Sequence, residues 1–280
     1  MSHLIQGWKT AKQRGKKSNR IPPFAPSQKE QEFYKKYCER VAKSSSLPKR
    51  ALILGATPEL RDIAIGAGLE SVAVDISEEM MKKFSVFMEK QEDVLDKKII
   101  KNWLEMDLPP GHFGLIMGDA SLNNLATIED NEKMVEICGN ILARGGYFVM
   151  RQIFYTEDYD GYTDPRAVVG DYRANKISWE DFFMELRINS FKDKVYSSKN
   201  FQYDAGKVFD LIEEICKDGL ITKPEYERIN TFRNNLINSF YPKYEFVKMA
   251  EYRKFKLLEE YHDKQFLFSN YLFMMCLVKL

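Results

Sequence analysis

Apolar residues along this chain fall into two kinds of pattern, and the change from one to the other divides it. Between Lys49 and Phe154, short unbroken apolar runs alternate with segments whose apolar positions recur every three or four residues. Residues 50–55 (RALILG), 71–75 (SVAVD), 98–102, 113–117 and 147–154 are of the first kind and predict five strands buried on both faces. Helices are expected between them. One opens at Thr57-Pro58-Glu59-Leu60, one at Ser77-Glu78-Glu79 reaches about Glu92, and a third runs from about Glu129 to Leu142. Strands alternating with helices imply parallel, right-handed crossovers, and so an α/β, doubly wound sheet. Arg144-Gly145-Gly146, before the fifth strand, reads as a turn that needs a positive φ.

Outside that stretch the rhythm differs. Ser27-Gln28-Lys29-Glu30 has the form of a capping box and starts a helix to about Lys43, which Ser44-Ser45-Ser46-Leu47-Pro48 ends. Residues 155–176 form a polar, aromatic segment without period and read as a loop. Helical periodicity returns at about 178–192, 205–218 and 222–240, the last with a second capping box, Thr222 to Glu225. Runs near 243–252 and 265–279 read as two strands around a charged stretch at Glu259. As an antiparallel hairpin they bring the sheet to about seven strands, the rest parallel. The expected division is a basic arm and lid helix (1–48), a ligand-binding core (49–155), a loop and helical insertion on the substrate side (156–242) and C-terminal strands completing the sheet (243–280).

Composition narrows the function. Lys and Arg total 42 against 41 acids, which excludes a general coat for nucleic acid and an acid-rich disordered chain. The first 26 residues are the exception, with six Lys and Arg, no acid, and Pro22-Pro23-Phe24-Ala25-Pro26. They form either a solvated tail or a flap over a pocket, with Trp8 as apolar anchor. Cys38, Cys138, Cys216 and Cys276 are spread too widely for a zinc or disulfide framework, and the three histidines too widely for a metal site. The opening residues carry no signal-peptide core and the longest apolar run, 271–278, is short for a membrane span, so a cytoplasmic protein is expected.

Doubly wound sheets bind ligands at the carboxyl ends of their strands. The first turn, Leu54-Gly55-Ala56-Thr57-Pro58-Glu59-Leu60, has one glycine where a diphosphate wants several. Pro58 removes an amide and Glu59 adds a negative charge. A cationic ligand without phosphate suffers from neither. Asp75, twenty residues after Gly55, is placed to accept from two ribose hydroxyls. Asn102-Trp103 ends the third strand and Gly118-Asp119-Ala120-Ser121 the fourth. An adenosine-containing, phosphate-free cation fits, and S-adenosylmethionine is one.

LILGATPEL at 52–60, VAVDIS at 72–77, NWLEMDLPPGHFGLIMGDASLNNL at 102–125 and LARGGYFVMR at 142–151 together resemble the class I S-adenosylmethionine-dependent methyltransferases, in particular a subgroup whose first loop reads LGATPEL. The resemblance covers a little over a third of the chain. It implies a cofactor site of Gly55, Ala56, Thr57 and Leu60 at the methionine end, Asp75 on the ribose, and Ile76, Asn102 and Trp103 at the adenine. Asp119 and Ala120 would stand near the sulfonium and the amino group, with Ser121 also in the cofactor site. Three positions depart from the family pattern: Ile53 and Gly114 stand where acids are common, and Asn102 replaces an Asp. Substrate contacts are expected from Trp8, Tyr34, Arg151, Tyr155 and Tyr159, with Asp158 and Tyr162 beside them. Arg151 is read either as a clamp for a substrate anion or as the partner of a neighbouring acid. The expected function is methyl transfer to a small molecule, with no metal and no general base singled out. The alternatives are an RNA methyltransferase using the basic arm and a non-catalytic S-adenosylmethionine-binding protein. A nicotinamide oxidoreductase ranks last, for want of phosphate-cradling glycines.

Overall fold

A computed structural model describes residues 20–91, 94–156, 159 and 161–280. Trp8, Asp158 and most of the basic arm lie outside the described residues. Seven strands form one sheet: β1 (Arg50–Leu54), β2 (Glu70–Asp75), β3 (Asp96–Ile100), β4 (Phe113–Asp119), β5 (Leu142–Ile153), β9 (Phe255–Tyr261) and β10 (Leu272–Lys279). Their order is β3-β2-β1-β4-β5-β10-β9. Neighbours pair in parallel except at β10, which runs antiparallel to both β5 and β9. The expected α/β sheet of seven strands with a C-terminal antiparallel hairpin is the one observed.

The unbroken apolar runs follow from burial on two sides. Along β1, Ala51 and Ile53 pack on one face with Phe33, Tyr34 and Tyr37 of helix α1 (Gln28–Lys43) and Leu60 of α2 (Pro58–Gly66). Leu52 and Leu54 pack on the other, with Met134, Val135 and Cys138 of α4 (Ile128–Ile141). Alternate residues of a strand point to opposite faces, so a strand with helices on both sides has no polar phase. Helix α3 (Glu78–Ser85) follows β2, capped by Ser77, and stops seven residues short of its expected end.

The insertion has its own core. Helices α5 (Pro165–Arg173), α6 (Trp179–Ile188), α7 (Ala205–Lys217) and α8 (Lys223–Asn230) bury a separate cluster with a three-stranded antiparallel sheet, β6 (Tyr196–Ser197), β7 (Gln202–Asp204) and β8 (Ile237–Ser239). Helix α5 lies within the expected loop; Asp164 caps it and Pro165 starts it. The helix expected over 222–240 ends at Asn230, after which the chain pairs as β8.

The largest correction is at residues 243–252. They form helix α9 (Lys243–Tyr252), not a strand, because the buried positions Phe246, Met249 and Ala250 are spaced for a helix. The strand is instead the charged stretch, β9, at the sheet edge, with only Phe255 buried. Edge position explains its composition, since charged residues on an edge strand discourage pairing with other chains. Among the described residues no helix is long and apolar enough to cross a membrane.

Candidate active site at the carboxyl ends of the strands

The strand order reverses between β1 and β4, whose carboxyl ends adjoin at Leu54 and Gly118. A cavity opens there, walled on one side by the sheet and on the other by residues 20–24 and the insertion. Gly55 leaves β1 at φ 108° and donates its N–H to Val74 O at 2.8 Å. A side chain there would be strained and would enter the cavity, its Cβ 3.8 Å from the Trp103 ring and 3.9 Å from Asp75 Oδ2. Pro58 begins α2, and Glu59 in its first turn receives both Nε (2.9 Å) and Nη2 of Arg20. The first turn of the helix therefore carries a carboxylate-bound arginine.

Asp75 ends β2. Its Oδ1 accepts from Ser77 N–H at 2.8 Å, while Oδ2 takes no hydrogen bond from the described residues and faces the space beside Gly55. Burial pushes its carboxyl up to about 6, against the pull of the Ser77 amide. Trp103 is fixed by its indole N–H, which donates to Val74 O at 2.6 Å. Asn102 caps the turn after β3, accepting from Leu104 N–H at 3.1 Å.

At the end of β4, Ala120 adopts φ 50° and donates its N–H to Arg151 O at 2.7 Å. A non-glycine residue held there is a local strain of the kind that collects at functional sites. Gly118 is required by close packing: a Cβ would stand 2.9 Å from Ser121 Oγ. Asp119 Oδ1 accepts from Arg151 Nε at 2.7 Å, and Arg151 also donates to Glu30 Oε2 (2.9 Å) and to the carbonyls of Pro23 (2.9 Å) and Ala25 (3.1 Å). Burial opposes the charge on Arg151, but Asp119 and Glu30 outweigh it and raise its pKa; burial raises that of Glu30. Two acids thus share one guanidinium.

Of the expected cofactor residues, Gly55, Ala56, Thr57, Asp75, Ile76, Asn102, Trp103, Asp119, Ala120 and Ser121 line the cavity. Leu60 does not; it is buried under α1. Among the expected substrate residues that are described, only Arg151 reaches the cavity wall, and its donors are spent on Asp119, Glu30 and the 23–25 carbonyls, the second of the two readings. Tyr34 is fully buried and donates to Gly118 O at 2.6 Å. Tyr155 is sealed in the insertion core, its hydroxyl on Ile188 O, and Tyr159 donates to Glu185 Oε1 at 2.8 Å. Tyr162 bonds Asp171. Tyr34 thus ties α1 to β4, and the other three tyrosines hold the insertion together. The opposite wall comes instead from Phe24, Met184, Arg187, Phe232, Asn238 and Phe240, which no motif singles out. Phe24 and Phe232 stack at 3.8 Å. Among the described residues no group of three His, Cys, Asp or Glu side chains could hold a metal.

Solved structures share this architecture. The PH0226 protein from Pyrococcus horikoshii OT3 matches over 95% of this chain and 99% of its own, with 14% identity and a TM-score of 0.54. The CcbJ methyltransferase from Streptomyces caelestis matches over 91% and 92%, with 12% identity and a TM-score of 0.51. A structure described as putative Zn-dependent alcohol dehydrogenases from Rhodobacter sphaeroides matches all of both chains at 13% identity and a TM-score of 0.57. The likeness is one of fold, a Rossmann-like α/β fold. No protein-family model and no curated protein matches the sequence.

Proposed function

We propose that this protein is an S-adenosylmethionine-dependent methyltransferase acting on a small molecule. The observation that carries the reading is the character of the cavity at the β1, β2 and β4 ends. It has a glycine turn beside an acid with a free oxygen, Asp75, a second acid, Asp119, on its wall, and a proline and a glutamate in the first turn of α2. Acids at these strand ends suit an adenosine bearing positive charge. When bound, S-adenosylmethionine supplies a methyl group on a positively charged sulfur. Asp75 would accept from the ribose hydroxyls, Ile76 and Trp103 would flank the adenine, and Asp119, oriented by Arg151, would face the cationic end.

Methyl transfer from a sulfonium moves the methyl to a lone pair of the acceptor while the sulfur keeps the bonding electrons and leaves neutral. The protein's task is then to align the two partners and exclude water. The stacked Phe24 and Phe232 serve the second need. A walled cavity between insertion and sheet favours a small acceptor over a polymer.

Calorimetry tests the reading. S-adenosylhomocysteine is expected to bind the wild type in the micromolar range and Asp75→Ala at least tenfold more weakly, with no binding of NAD. Binding of NAD without S-adenosylhomocysteine would overturn it.

A further inference from the structure

Among the described arginines, Arg61 and Arg151 are fully buried and their guanidinium groups are saturated. Arg61 bonds both oxygens of Asp96 and Ser85 Oγ, and Arg151 bonds two carboxylates and two carbonyls. Arg187, at the end of α6, is different. Its Nε is sealed from solvent with no hydrogen-bond partner, and among the described residues no carboxylate pairs with it. The phenol oxygens of Tyr203 and Tyr271 are its polar company, and burial pulls its pKa down. It lines the cavity on the insertion side, sharing that wall with Phe24, Phe232 and Phe240. Asn238, on the same wall, donates to Asn123 O at 2.9 Å but leaves its buried Oδ1 unfilled.

A desolvated charge without a partner is costly, and cores that contain one normally supply the counter-ion. Here no described residue supplies the counter-ion, and the arginine lines a cavity. We propose that Arg187 binds the methyl acceptor, and that the acceptor is a carboxylate on a planar, aromatic body, with a donor N–H or O–H to fill Asn238 Oδ1. The proposal rests on the methyltransferase reading for the word acceptor; the anion site itself does not. S-adenosylmethionine also has a carboxylate, but Asp75 and the Gly55 turn place the expected cofactor on the sheet side, and Arg187 comes from the insertion.

Benzoate and its neutral isostere benzamide are the probes, titrated into the protein loaded with S-adenosylhomocysteine. The wild type is expected to prefer benzoate at least tenfold. Arg187→Met is expected to weaken benzoate about thirty-fold or more, leave benzamide alone, and bind S-adenosylhomocysteine as the wild type does. Arg187→Lys keeps part of the preference. Without any ligand, Arg187→Met is expected to melt no lower than the wild type, because it removes an unpaired buried charge. A ligand-free melting point well below wild type in both variants would make Arg187 structural and overturn the proposal. So would equal binding of benzoate and benzamide to the wild type. Weakened S-adenosylhomocysteine with unchanged benzoate would assign the arginine to the cofactor carboxylate, again against it. If the wild type binds no S-adenosylhomocysteine yet keeps an Arg187-dependent benzoate preference, the methyltransferase reading fails and the anion site stands.

Discussion

Asp75 is under two opposed demands. Burial without ligand favours its protonated form, while a ribose that donates two hydroxyls favours the ionised one. Its carboxyl is raised to about 6, so its contribution to the stability of the ligand-free protein is present below about pH 4 and lost as pH rises through 6. Ligand affinity runs the other way. S-adenosylhomocysteine is expected to bind more tightly as pH rises through 6 and then to level off, and Asp75→Asn to flatten that dependence, as calorimetry across pH 5–8 would read. Gly114 answers a different question. Where the family that the sequence resembles commonly carries an acid, a Cβ here would clash with Pro48 O and stand 2.8 Å from Val41 Cγ1. The glycine is a packing requirement, not a lost ligand. Gly114→Asp is expected to cost more than about 3 kcal/mol, the upper end of ordinary overpacking, because backbone must move. Denaturant unfolding would check it. Asp75 and the Gly55 turn were legible because a ligand site at strand ends sets both residue type and spacing. Arg187 and Phe232 were not, since nothing local marks them: they reach the cavity only by tertiary docking of the insertion.

Between elements, Arg151 is the chief tie. It starts from β5 and reaches Asp119 on β4, Glu30 on α1 and the chain at 23–25. Removing it leaves two buried carboxylates uncompensated, so Arg151→Met is expected to lose about 3–5 kcal/mol, read as a lower denaturation midpoint at unchanged slope. Glu30→Gln should lose less, since burial already disfavours its charge. The elements of the core could be read from their patterns because both sheet faces are covered, which leaves apolar runs that only buried strands carry. The C-terminal region resisted for the converse reason. A half-exposed helix with aromatic residues, α9, resembles a strand in composition, and an edge strand such as β9 carries the charges of a loop.

Across the whole molecule, sheet and insertion are joined through Asn123. Its amide donates to Ile153 O (3.0 Å) and Ser239 O (2.8 Å), its Oδ1 accepts from Ile153 N–H at 2.8 Å, and its carbonyl accepts from Asn238. Asn123→Ala is expected to cost about 1–3 kcal/mol for each buried group it orphans, and to speed amide hydrogen exchange across β8 more than across β1. The joint matters for function because the cavity is half sheet and half insertion, and loosening one against the other spoils both walls.

The Arg20–Glu59 pair has a bearing on time as well as on shape. Arg20 lies on the Phe84 ring, 5.0 Å from its centroid, and grips the first turn of α2, while Arg151 holds the same segment three to five residues further on. The segment is thus fastened at both ends across the side of the cavity nearest Gly55. On the proposed function, a nucleoside bound there is expected to exchange faster when one fastening of this clasp is released. Glu59→Gln is expected to raise the association and dissociation rate constants of S-adenosylhomocysteine together, severalfold, with their ratio little changed. Stopped-flow emission from Trp103, which sits in the cavity wall, would report both; a change in the dissociation rate alone would show that the clasp contributes affinity and does not act as a gate.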